Sequence, residues 1–261
     1  MKLINFESLN ERLTNIRDDF QSKTPFKYVI FENFFYPEAA ELIYENYPTI
    51  DEGAWKGTTY INSNKKFEKR KFESGSVLEQ VFKEFNSMEF LKWLEGVTLI
   101  DELVEDHELF GGGLHQSIQG AFLNVHVDFN IHPVTRYHRR LNAIVYMNKD
   151  WKDEYEGHLE LWDLTGDEKK RLEKVAPLFN RCVIFETNEI SFHGHPKPLK
   201  APVGINRKSL ATYYYSKERP ENEIAQEHNT IYVNTEGMDG NIKKFKSGVK
   251  AFLERINKKQ N

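Results

Sequence analysis

Between Gly111 and Ser216 the chain reads as short apolar or aromatic runs separated by polar loops, and this pattern limits the fold more than any other feature. The triple glycine 111–113 ends any helix that precedes it. Strand candidates follow at 121–128, 141–147, 158–162, 182–186, 190–193 and 208–216. Short strands at this spacing predict an all-β sandwich or barrel. The flanks read differently. Phe6, Leu9, Leu13, Ile16 and Phe20 recur at intervals of three and four, the period of an amphipathic helix. Residues 27–31 (KYVIF) suggest one early strand. Helical patterns recur over 36–47, with Pro37 in a first turn, and over 77–85 and 88–94, with Ser76 as a cap. A last helix is expected over 242–256. The expected class is α+β with a mainly β core, in one domain spanning 1–261. Residues 1–106 form a helical support, 107–216 the β core, and 217–261 an extension with its helix.

Charge and cysteine content narrow the function. The net charge of −4 argues against a globally basic nucleic-acid binder. A single cysteine, Cys182, excludes intrachain disulfides and cysteine-cluster zinc sites and suits a reducing compartment. No apolar run approaches the roughly 18 residues of a membrane span. The opening residues show no secretory pattern, so the expected location is the cytoplasm. Aromatic residues reach 13%, which a disordered chain would lack. Two charge runs, Lys65 to Lys71 and the basic positions of 243–259, read as solvated.

The chemistry-bearing segment is Asn124-Val125-His126-Val127-Asp128. In a strand, residues two apart face the same way, so His126 and Asp128 project together with Asn124 beside them. An imidazole and a carboxylate on one face give two metal ligands. A histidine from a distant strand would complete a two-histidine, one-carboxylate triad with open positions, the arrangement of non-haem Fe(II) oxygenases. Phe192-His193-Gly194-His195 supplies histidines. Further on, Arg207 and Ser209 share a face. A guanidinium matches a carboxylate bidentately, and a hydroxyl adds a donor, a pair suited to the far carboxylate of a dicarboxylic cosubstrate.

The order His-x-Asp, His, Arg-x-Ser resembles the Fe(II)- and 2-oxoglutarate-dependent dioxygenases, in particular the prolyl-4-hydroxylase-like branch. The likeness runs through GGGLHQSIQGAFLNVHVDFNIHP, RRLNAIVYMNKDW, EGHLELWD, PLFNRCVIFETNEISFHGHPKPL and RKSLATYYYS. KYVIFENFFYPEAAELIYENYP also resembles the opening of such proteins. The resemblance implies a double-stranded β-helix (jelly roll) with flanking helices. It implies iron held by His126, Asp128 and His193, and 2-oxoglutarate held by Arg207 with Ser209. Asn124, Gln116 and Tyr213 are further candidates for the cosubstrate site. His195 shares the face of His193, which is preferred because it immediately precedes Gly194 and the family pattern puts an aliphatic residue two places on. The family's tyrosine upstream of His-x-Asp is here His115-Gln116. The implied reaction hydroxylates an unactivated C–H bond of a peptidyl proline or another amino-acid-like or polar small molecule. O₂ is consumed, 2-oxoglutarate yields succinate and CO₂, and ascorbate is a candidate reductant. Arg140, Asn142, Glu160 and Trp162 are candidate substrate contacts, with packing as the competing role of Trp162. A non-catalytic metal-binding jelly-roll module is the alternative. A zinc hydrolase ranks last, since no HExxH is present.

Overall fold

The computed structural model describes residues 2–52, 55–233 and 235. Among the described residues, five α-helices and eleven strands follow along the chain. They are α1 (Phe6–Glu11), α2 (Leu13–Ser22), β1 (Tyr28–Phe31), α3 (Pro37–Glu45), β2 (Lys56–Tyr60), β3 (Ser63–Lys69), α4 (Val77–Phe85), α5 (Met88–Thr98), β4 (Gly113–Val127), β5 (His138–Tyr146), β6 (Leu159–Asp163), β7 (Lys170–Val175), β8 (Arg181–Glu186), β9 (Phe192–His195), β10 (Arg207–Ser216) and β11 (Ile231–Tyr232). The strands form one curled sheet in the order β1-β8-β5-β10-β4-β9-β6-β7. This is the jelly-roll fold that the resemblance implied, and it meets the sandwich-or-barrel expectation of the strand pattern.

Alternation along each strand separates two environments. On β5, Leu141, Ala143 and Val145 face the helices, as do Cys182 and Ile184 of β8 and Leu210 and Tyr214 of β10. Tyr146, Val183 and Phe185 face the inside of the curl. The helical layer explains the aromatic content. Phe90 is fully buried among Phe6, Phe34, Phe85, Trp93 and Tyr214, with ring centroids 5.6–6.4 Å apart. Ser76 and Ser87 cap α4 and α5, each hydroxyl accepting the amide three residues on at 3.2 Å.

The structure differs from expectation in three places. The first helix is broken at Arg12 into α1 and α2. A hairpin, β2–β3, lies within the region read as helical, and β3 pairs with β4. The charge run from Lys65 to Lys71 therefore lies largely in a paired strand and not in a solvated loop. Strand β7 was not anticipated: its sequence, KRLEKV, is mostly polar. The expected C-terminal helix over 242–256 lies outside the described residues. Among the described residues no helix is long and apolar enough to cross a membrane.

Candidate metal centre and anion pocket

His126 on β4 and His193 on β9 are paired directly across the ladder, and their rings lie 4.4 Å apart. Each Nδ1 meets a backbone carbonyl two residues back, Asn124 O at 2.8 Å and Ser191 O at 2.9 Å. A carbonyl only accepts, so Nδ1 carries the hydrogen and each Nε2 keeps its lone pair. Both Nε2 atoms point at Asp128, at 3.5 and 3.4 Å. One ligand atom from each of the three residues lies within 4.8 Å of the others. This donor set, locked in the metal-binding tautomer, fits a divalent ion held from one side.

The carboxylate is itself held. Asn142 donates Nδ2–H to Asp128 Oδ2 at 2.8 Å, and Arg139 Nη2 approaches the same oxygen at 3.0 Å. Arg139 also donates to Asn142 Oδ1, and its guanidinium lies over the rings of Tyr213 and Phe129, at 3.6 and 4.5 Å. Burial alone would raise the Asp128 carboxyl. Arg139, His193 and His126 outweigh it and hold the group well below the usual carboxylate range. Burial, aided by His193, lowers the imidazole of His126. Both therefore stand in their ligating forms near neutrality.

From this cluster a partly open cavity of about 80 Å³ leads inward. Arg207, Ser209 and Tyr213, three of the residues expected at the cosubstrate site, line it together with Lys66, His115 and His195. Cross-strand register explains the grouping: Ser209 lies opposite His115 on one side and Tyr146 on the other, and Arg207 lies opposite Ser117. Arg207 is aimed by two acceptors, Gly157 O at 2.6 Å and the Tyr146 hydroxyl at 3.1 Å. Gly157 has φ +73, and a Cβ there would stand 3.2 Å from Arg207 Cδ, so glycine serves both turn and approach. Burial pushes the Tyr213 hydroxyl up to about 12, and it donates to Gly111 O. Burial also drives His115 and His195 well below the ordinary histidine value, so both are neutral.

Five expected contacts are placed elsewhere. Across from His126/His193 the next matched pair is Leu123/His195, so β4 carries one extra residue there. That bulge turns Leu123, not Asn124, into the cavity, and Asn124 bonds to Asn62. Gly194 allows this close approach, since a Cβ there would lie 2.8 Å from the Leu123 and Asn124 carbonyls. A second irregularity pairs Tyr215 with Arg139 and Tyr214 with Leu141, leaving Arg140 as the extra residue. Arg139 thereby takes the inner face and Arg140 turns to Ser216 and Glu223. Gln116 faces away, bonded to Pro48 O and Asn206. Glu160 accepts from Trp162 and Arg171, and Trp162 packs outside near Val125 and Phe192. Asn142 does reach the site, against Asp128. Of the two candidate histidines, His193 enters the cluster, while His195 lines the cavity beyond it. Arg139, Tyr146 and Lys66 were missed: each depends on pairing between distant strands, which no local pattern encodes.

Residues 112–215 match the family model of the 2OG-Fe(II) oxygenase superfamily. No curated protein sequence matches the chain. Among solved structures, a Pseudomonas putida prolyl-4-hydroxylase aligns at 17% identity over 78% of this chain and 99% of that one, with a TM-score of 0.52. A Trichoplax adhaerens prolyl hydroxylase, solved with a hypoxia inducible factor peptide fragment, aligns at 12% identity over 81% and 92%, with a TM-score of 0.55. HygX from Streptomyces hygroscopicus, solved with nickel and 2-oxoglutarate, aligns at 10% identity over 82% and 97%, with a TM-score of 0.50. At these identities the likeness is one of fold.

Proposed function

With residues 112–215 matched to the 2OG-Fe(II) oxygenase superfamily and folded as its solved members are, we propose that this protein is an Fe(II)- and 2-oxoglutarate-dependent hydroxylase. The observation that carries the reading is the one-sided His126–Asp128–His193 cluster opening onto a cavity that also holds Arg207. A structural metal has no need of a buried guanidinium beside it. His126, Asp128 and His193 would hold the iron, and Arg207 and Ser209 the far carboxylate of 2-oxoglutarate. With both bound, O₂-dependent decarboxylation to succinate and CO₂ drives hydroxylation of a substrate C–H bond.

The chain's own residues prepare that chemistry. The two Nδ1 clamps fix the imidazoles before any ion arrives. Arg139 and Asn142 keep Asp128 ionised and oriented. Gly157 and Tyr146 aim Arg207, so its hydrogen bonds to a carboxylate need little reorganisation. The substrate is a peptidyl proline or another amino-acid-like or polar small molecule.

The test is succinate release from 2-oxoglutarate, with Fe(II), by wild type, Asp128→Ala and Arg207→Met. Release by wild type alone supports the reading. Arg207→Met should bind 2-oxoglutarate about 10- to 100-fold more weakly, as expected for losing a charge-assisted hydrogen bond. Metal-dependent melting with no succinate under any candidate substrate would favour a non-catalytic metal-binding module.

A further inference from the structure

The hairpin strand β3 delivers one cation to the cavity that the proposed cosubstrate site does not use. Lys66 is paired with Ser117 of β4, and Ser117 is paired with Arg207 of β10. The three residues thus stand in one row, on one face, across three strands. The pairing of β3 with β4 is irregular between Asn64 and Lys66, and the intervening Lys65 has φ +50. This kink re-aims the strand so that Lys66 lines the cavity, while Lys65 Nζ turns to Gln119 O.

Lys66 Nζ has no hydrogen bond or ion pair among the described residues. The neighbouring acids are committed elsewhere. Glu68 is held by Arg70 at 2.8 Å and Lys56 at 3.7 Å. Asp128 is held by Arg139, Asn142 and the two imidazoles. Among the lining groups the site thus sets Lys66 and Arg207 against one carboxylate, Asp128, which Arg139 already pairs from outside the cavity, and the neutral His115 and His195 change nothing in that balance. A divalent metal and a dianionic cosubstrate add no net charge. The positive excess remains, in a partly enclosed space where water screens it less than bulk solvent does. Such a space favours one more anion.

We propose that Lys66 receives a carboxylate of the molecule to be oxidised, so that the substrate is an anionic acid rather than a neutral residue within a peptide. The inference rests on the hydroxylase reading above and narrows its substrate class.

The experiment uses the full chain loaded with Ni(II), which supports binding without turnover, and saturating 2-oxoglutarate. Thermal shifts are recorded for free amino acids, N-acetyl amino acids and small aromatic acids, each paired with its primary amide. Wild type should be stabilised by at least one acid and not by its amide. Lys66→Arg should retain that preference. Lys66→Met should bind the acid at least ~10-fold more weakly, the loss of a charge-assisted contact, with 2-oxoglutarate affinity kept within about twofold. The proposal is overturned if no acid–amide pair differs in wild type, or if the preference survives in Lys66→Met. It is also overturned if Lys66→Met loses 2-oxoglutarate binding, which would make Lys66 a cosubstrate anchor. A wild type that 2-oxoglutarate fails to stabilise in the presence of metal would refute the hydroxylase reading itself, a separate result.

Discussion

Arg139 shows how much a single residue outside the ligand set controls. It is almost fully buried, pairs with Asp128 and lies between two aromatic rings. Replacing it with methionine keeps the bulk and removes the charge. Asp128 then loses the cation that most strongly favours its ionised form. Arg139→Met should weaken metal binding by about 10- to 100-fold, the usual effect of losing a group that supports a ligand. Calorimetric titration with Ni(II) measures this, and an unchanged affinity would show that Asn142 alone suffices. The candidate metal triad was legible in the sequence because His126 and Asp128 stand two apart in a strand and a histidine follows at a strand start. Arg139 was not legible: counting alternate residues selects Arg140, and only the bulge makes Arg139 the inner one.

That contrast is general at the scale of the element. The identity of the core strands was readable from apolar alternation, that of the polar β2, β3 and β7 was not, and side-chain direction was lost wherever a strand gained a residue. Asn124, Arg140 and Lys66 each lie beside such an irregularity. Lys66 carried the further disguise of a charged run, which normally signals solvent. Two expectations belong to loops and edges. Gly157→Ala should destabilise the fold by about 1–2 kcal/mol through its left-handed backbone. It should also weaken 2-oxoglutarate binding by displacing Arg207; chemical denaturation and ligand titration read the two effects separately.

The other concerns β11, which pairs with β4 beside His126. Its approach is fastened by His228, whose Nε2 lies 2.9 Å from Glu189 and whose Nδ1 lies 2.8 Å from Asn229 O. Burial opposes the charged ring, but Glu189 and that carbonyl outweigh it and raise the imidazole above the ordinary value. A raised histidine stabilises the folded form fully below its ordinary pKa, about 6.5. That contribution fades as pH climbs through the raised value. Protection of the Val233 amide, which donates to Val125 O, should therefore decline across neutral and mildly alkaline pH in hydrogen exchange corrected for intrinsic rate. His228→Gln should flatten the profile.

For the whole molecule, the helical layer and the curled sheet build the site before any ligand enters. The aromatic cluster around Phe90 backs one face of the sheet, and the strand ladder sets the histidines opposite each other. Stripping the metal with a chelator should lower the melting temperature yet leave the β-sheet circular dichroism signal intact. The loss should follow mass action, about 2.7 kcal/mol for an ion formerly at a hundred times its dissociation constant. A collapse of the β signal would show that the ion organises the fold. The two carbonyl clamps on His126 and His193 have a cost that follows from this readiness. Fixed nitrogens and one carboxylate accept any first-row divalent ion, and affinity rises from iron towards nickel and copper. At the proposed iron site mismetallation would therefore be a standing hazard, with cellular supply rather than the donor set selecting the ion.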